Sequence, residues 1–136
     1  YEARKLPSIA VLKGDSKEEF LKGKDFHNLD YSPDWATAFK KLLDGKVSAL
    51  VMTDMDLPIT ARDAGLNPAD FEPVYELFVN RLYIGMSKRT DPSVVRSWQE
   101  ALDAMKRDGS FTRLAEQWSK HWNAQWVVRD GAVQAQ

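Results

Sequence analysis

The chain has 136 residues, of which 43% are hydrophobic and 29% are charged, and its net charge is −1. This composition is typical of a folded domain and excludes a disordered tail and a broad nucleic-acid surface, which needs clustered excess Lys and Arg. The absence of cysteine excludes disulfides, thiol catalysis and cysteine metal sites. No apolar run approaches a membrane span and no stretch has the pattern of a signal peptide, but a removed signal peptide would leave no trace.

Three segments in the first half of the chain predict strands. Residues 8–12 (Ser-Ile-Ala-Val-Leu) are typical of a buried strand, and residues 28–31 of a weaker one. Residues 47–52 form a continuous apolar run with β-branched residues, which predicts a central parallel strand.

Helices are predicted between and after these strands. One begins after Gly14, a second at Ser32-Pro33 with Ser32 as its cap, and a third near Pro58. Strands alternating with helices indicate an α/β fold with a mostly parallel sheet flanked by helices, in which ligands bind at the carboxyl ends of the strands. The residues expected to cap the first helix and complete its capping box are Asp15 or Ser16 and Glu18 or Glu19.

The pattern changes in the second half of the chain. Residues 71–78 are expected to be extended and residues 81–86 to form a strand. A helix pair with a turn at Asp108-Gly109 follows, and residues 130–134 are expected to be an unpaired terminal segment. Four of the five tryptophans lie in the last 39 residues, so this end either packs densely or packs on a partner.

The two predicted carboxyl ends carry the candidate site residues. The turn at Gly14, Asp15 and Ser16 is expected to offer free backbone N–H groups to a carboxylate or phosphate, while Asp15 would attract an amine. Thr53, Asp54 and Asp56 could hold a cation or serve acid–base chemistry. The alternative is ordinary capping by Asp15 and Asp56, with Asp54 solvated. His27 and His121 lack partners at ligand spacing and indicate no metal site.

Several segments share one family resemblance. Residues 9–14, 31–38, 42–47 and 81–88 are similar to the later half of family 3 periplasmic solute-binding proteins, the receptors of polar amino-acid ABC transporters. The most specific match is residues 98–118, which resemble that family's closing helix pair with its Asp-Gly turn and terminal Trp.

The resemblance implies a division of the chain. Residues 1–7 would be a hinge segment, residues 8–78 the second, ligand-binding lobe, and residues 79–136 a return strand and C-terminal helices belonging to an otherwise missing first lobe. The implied function is non-enzymatic. A small polar, amino-acid-like solute would bind in an interlobe cleft for transport or sensing, in the periplasm, with a membrane permease or sensor as partner. No catalytic residue, cofactor, metal or nucleic acid is implied.

The resemblance also implies the contacts with the solute. They fall on Gly14, Asp15, Ser16 and Thr53, with Asp54 as a weaker candidate. Amino-acid receptors usually carry an Asp at the position that Thr53 fills, where it pairs with the α-amino group of the ligand. The sequence therefore departs from the standard amino-acid pocket at this position.

The missing lobe has a consequence for packing. Without it the helix pair would expose an apolar face, at a cost of several kcal/mol. We therefore expect a fragment whose last helices dock on residues 8–78, on a second copy as a domain-swapped dimer, or on an unseen partner. The side chains of this face are Trp98, Leu102, Leu114 and Trp118.

A second resemblance gives the alternative function. Residues 49–58 look like the third strand of a response-regulator receiver, in which Asp54 would be the phosphorylated residue. The first strand lacks the acidic pair that holds magnesium in that family. Lys88 also follows Asp54 by only 34 residues, which is short for the family's lysine.

Overall fold

The apolar run of the first strand lies at the centre of a three-stranded parallel sheet. The computed structural model describes residues 2–136 and contains β1 (Ile9–Leu12), β2 (Leu29–Ser32) and β3 (Ala49–Leu50) in the order β2-β1-β3. β1 pairs with β2 along its whole length and with β3 at two positions. The predicted α/β class with a parallel sheet is confirmed.

Three helices follow these strands and pack on the sheet or on one another: α1 (Ser16–Lys22), α2 (Trp35–Leu43) and α3 (Leu57–Asp63). Asp15 caps α1, as the sequence allowed. The prediction of Ser32 as the cap of α2 is wrong, because Ser32 ends β2. Asp34 takes the cap position instead and accepts a hydrogen bond of 2.7 Å from the backbone of Thr37.

The first compact unit of the chain, residues 2–72, has its core between the sheet and α2. Phe39 is completely buried, and its ring lies 5.0 Å from that of Phe71 and 6.3 Å from that of Trp35. Ala10 of β1 and Ala38 of α2 are also fully buried, so helix and strand approach each other closely.

The prediction of a central strand at residues 47–52 is wrong in its place and its length. β3 has only two residues and lies at an edge, because β1 occupies the centre and no strand among residues 2–136 pairs with the other side of β3. Hydrogen bonds from Ser48 to Ser8 (3.0 Å) and from Val51 to Ala10 (3.1 Å) extend the contact with β1 slightly beyond the strand.

The predicted return strand at residues 81–86 is also wrong. Residues 71–86 adopt no helix or strand in the structure. An extended chain becomes a strand only when its N–H and C=O groups bond to a neighbour, and no strand of the described residues lies beside this segment. Its strand-like sequence therefore has no strand to pair with among the described residues.

The second compact unit, residues 73–136, is a helix pair followed by a hairpin. α4 (Pro92–Asp108) and α5 (Ser110–His121) meet at Gly109, whose φ of 78° is left-handed. Residues 130–134 are not an unpaired segment as predicted. β4 (Trp126–Arg129) and β5 (Ala132–Ala135) form an antiparallel hairpin, since Asp130 and Gly131 both have positive φ and make the two-residue turn that such hairpins favour.

The helix pair exposes apolar side chains, in agreement with the sequence. Trp98 on α4 and Leu114 and Trp118 on α5 are all exposed, whereas Leu102 is half-buried. None of the helices among the described residues combines the length and apolar character needed to cross a bilayer.

Truncation of the central aromatic residue tests the packing of the first unit. We expect Phe39→Ala to lower the free energy of unfolding by about 3–5 kcal/mol, because it removes a fully buried ring and leaves a cavity. Urea denaturation followed by circular dichroism measures the change. Leu43→Ala, at an exposed position of the same helix, is the matched control and should change the value by less than about 1 kcal/mol. Equal losses in both variants would contradict this packing.

Candidate functional site

The pairing of β1 with β3 brings the two predicted site segments to one edge of the sheet. Ile9 lies opposite Ala49 and Ala10 opposite Leu50, and the strands run in parallel. The turn at residues 14–16 follows β1, and Thr53 and Asp54 follow β3. We call this side of the sheet the carboxyl edge. It is where a parallel sheet usually binds a ligand.

The turn after β1 differs from the prediction in one respect. Gly14 has a φ of 79°, a left-handed conformation that favours glycine. Its N–H is not free, because it donates to the Glu18 carboxylate at 2.5 Å. The Lys17 N–H likewise donates to Asp15 at 2.8 Å. The Asp15 N–H donates to the Leu12 carbonyl at 3.3 Å, so the N–H groups of Gly14 and Asp15, both expected to receive an anion, are occupied.

Asp15 is paired with a lysine of its own helix. The Lys17 ammonium donates to both carboxylate oxygens of Asp15, at 2.9 and 3.0 Å, and both side chains are largely buried. Ser16 adds a hydroxyl contact of 3.3 Å. The negative charge that was expected to attract an amine is thus largely neutralised by Lys17.

These contacts set the ionisation of Asp15. Burial alone would raise the pKa of the carboxyl group, but the hydrogen bonds and charge of Lys17 outweigh it, so the pKa lies below the ordinary value of 3.8. The group is therefore an anion at neutral pH and acts as a cap and ion-pair partner.

Thr53 and Asp54 are differently placed. Thr53 is half-buried, and its carbonyl accepts a hydrogen bond of 3.1 Å from Asp56. Asp54 is exposed and accepts one of 2.8 Å from the next backbone N–H, that of Met55. Asp56 stands at the cap position of α3 but makes no capping bond with its side chain. Asp54 and Asp56 are therefore both accessible acids, and Asp54 lies closer to the end of β3.

Ser32 is a site residue that the sequence analysis did not assign to the edge. It ends β2, opposite Leu12 of β1, and so belongs to the same carboxyl edge. Its hydroxyl is buried and has no hydrogen-bond partner within residues 2–136. Its position before Pro33 indicated a helix start, and only the observed end of β2 shows its relation to the sheet.

Other features of the described residues lie away from this edge. Two shallow grooves, of about 260 and about 340 Å³, lie between α2 and α3 and are lined by none of the predicted site residues. His27 is exposed, and His121 packs edge-on against Trp118 and Trp122. Within residues 2–136, no group of three or more acidic, histidine or cysteine side chains is placed to hold a metal ion.

Comparisons of this chain with family models, with curated proteins and with solved structures found no match.

The Asp15–Lys17 pair predicts a dependence of stability on pH. Because the pKa of Asp15 is lowered in the folded state, its contribution is present above the unfolded value of 3.8 and is lost as pH falls through the folded value. Asp15→Asn keeps a capping side chain but cannot titrate. We expect the melting temperature of wild type to fall more between neutral pH and pH about 3 than that of the variant, by a few degrees.

Glu18, Asp34 and other carboxyl groups with lowered pKa contribute in the same direction, so the variant loses only part of the dependence. Asp63→Asn, an exposed change in α3, is the matched control. Melting followed by circular dichroism measures all three proteins. Identical pH profiles for wild type and Asp15→Asn would contradict the role of the pair.

Proposed function

We propose that this chain is the second lobe and C-terminal helices of an extracytoplasmic solute-binding protein of the periplasmic type. It would bind a small polar, amino-acid-like solute without catalysis, and deliver it to a membrane permease or sensor. One observation supports this more than any other. The parallel pairing of β1 with β3 gathers the turn at residues 14–16 and the residues Thr53 and Asp54 at one edge.

The roles proposed for the edge residues follow from their surroundings. Asp54 is exposed and would pair with the ammonium group of the solute. The hydroxyls of Ser16 and Thr53 would donate or accept hydrogen bonds, and the positive φ of Gly14 would let the backbone approach the solute. Asp15 would take part only if Lys17 moved, since the lysine occupies both of its carboxylate oxygens.

This assignment of the acid differs from the one that the family resemblance implies. Thr53 cannot neutralise an ammonium group, and the next residue carries the charge instead. The carboxylate of an amino-acid solute would have to find its donors elsewhere, because the N–H groups of Gly14 and Lys17 are bonded to Glu18 and Asp15. We propose that the first lobe supplies those donors.

A titration followed by NMR tests the proposal. The twenty amino acids are added singly, at millimolar concentration, to ¹⁵N-labelled protein. We expect at least one to shift the amide signals of Gly14, Ser16, Thr53 and Asp54 selectively. Asp54→Asn should weaken that binding by about tenfold, the loss of one charge-assisted hydrogen bond.

Asp63→Asn, away from the edge, is the matched control and should leave the affinity unchanged. The absence of selective shifts with every amino acid would contradict an amino-acid-like solute at this edge. An affinity that is unchanged in Asp54→Asn would contradict the role of Asp54.

A receiver domain phosphorylated on Asp54 is the second candidate. The observation in its favour is the exposure of Asp54 just after an outer strand of a sheet with the order β2-β1-β3, an order found in doubly wound folds. Incubation with acetyl phosphate and magnesium, followed by intact-mass measurement, distinguishes the two functions. Solute binding predicts no adduct, whereas a phosphate adduct lost in Asp54→Asn would establish the receiver.

A further inference from the structure

The outer edge of β3 is an unfilled pairing site. β3 is hydrogen-bonded on the β1 side, and its other side has no strand partner among residues 2–136. Residues 49–52 are all apolar and all only half-buried. A continuous apolar run is typical of a strand that is covered on both faces, and an open apolar edge readily pairs with another chain.

Residues 82–86 likewise pair with no strand among the described residues. Leu82, Tyr83 and Ile84 are 94%, 82% and 67% exposed, and they lie in a stretch with no helix or strand. Aromatic and β-branched residues favour strands. This segment, residues 82–86, therefore presents both apolar side chains and backbone to a strand that would pair with it.

The charges that follow the two segments agree with a parallel alignment. Asp54 stands four residues after Leu50, and Lys88 stands four residues after Ile84. Asp54 and Asp56 lie beyond β3, Lys88 and Arg89 lie beyond the segment, and all four are exposed. A parallel pairing of Leu50 with Ile84 brings the turn that carries these acids and the turn that carries these bases to the same end of the two segments, and an antiparallel pairing does not.

We propose that residues 82–86 of a second copy of this chain pair in parallel with β3, and that the exchange is reciprocal. Each copy carries both the open edge and the unpaired segment, so a two-fold dimer fills both sites and closes. The second copy's Lys88 and Arg89 then lie at the carboxyl edge beside Asp54. This inference does not depend on the function proposed above.

A charge-swap experiment tests the exchange between chains. One variant carries Lys88→Glu and Arg89→Glu, and the other carries Asp54→Lys and Asp56→Lys. Each alone places like charges at the interface, and we expect its dimer to be weakened by about tenfold or more. In an equimolar mixture, both interfaces of the heterodimer have opposite charges again, so dimerisation should return to the wild-type level.

Sedimentation equilibrium at micromolar concentration measures the mass, which should be twice 15.5 kDa for wild type and for the mixture. The control variant carries Arg96→Glu and Lys120→Glu, at exposed positions of α4 and α5. It changes the net charge by the same amount as Lys88→Glu with Arg89→Glu and should leave the dimer intact. Circular dichroism checks that every variant is folded. Leu82→Asp, at an almost fully exposed residue, should also abolish the dimer without loss of structure.

Three results would overturn the proposal. A monomeric wild type excludes the dimer. A dimer unaffected by the three interface variants forms through another surface, such as the exposed tryptophans of the helix pair. A dimer that each charge variant weakens, but that the equimolar mixture does not restore, shows that these acids and bases do not face each other across the interface.

Discussion

The backbone of β1 is hydrogen-bonded on both sides, to β2 and to β3, and this pairing determines most of the first unit. It aligns the carboxyl ends of the three strands at one edge, and it gives α2 an apolar surface on which Ala38 and Phe39 are buried. Because every strand needs a partner, the same pairing also explains why a predicted strand did not form. Residues 71–86 have a strand-like composition but form no strand, because no strand of the described residues pairs with them.

Local electrostatics then decide which groups of the carboxyl edge remain available. Glu18 takes the N–H group of Gly14, the Leu12 carbonyl takes that of Asp15, and Lys17 neutralises Asp15. Asp54 and Asp56 are exposed, and no lysine or arginine bridges to them among the ion pairs of the described residues. The edge thus combines accessible acids with hydroxyl groups, a pattern suited to a polar, cationic group and poorly suited to an anion.

The sequence predicted features that depend on neighbouring residues. The cap at Asp15, the apolar β1 and the turn at Gly109 all follow from local patterns, and the structure contains them. The predictions from sequence were wrong where the outcome depends on distant partners: β3 lies at an edge of the sheet, and residues 81–86 pair with no strand of the described residues. The pair of Asp15 with Lys17 also escaped prediction, since residues two apart do not face each other on a helix and only the cap position brings them together.

Two features that the predictions missed have clear signals in the sequence. Asp130-Gly131 is a dipeptide favoured in tight hairpin turns and has apolar residues on both sides, which is the signal for β4 and β5. Asp34 precedes the first apolar residue of α2 directly and is as good a cap as Ser32. The place of Ser32 at the carboxyl edge, by contrast, depends on where β2 ends, which strand propensity does not determine.

The turn after β1 and the end of β3 share one edge of the sheet. Because the chain has no cysteine, Ser16→Cys provides a single site for a nitroxide spin label. Paramagnetic relaxation enhancement in the labelled protein measures the distance from this site to each amide. If the two segments share this edge, the Thr53 and Asp54 amide signals are strongly broadened. Unbroadened Thr53 and Asp54 signals in a folded protein would contradict it.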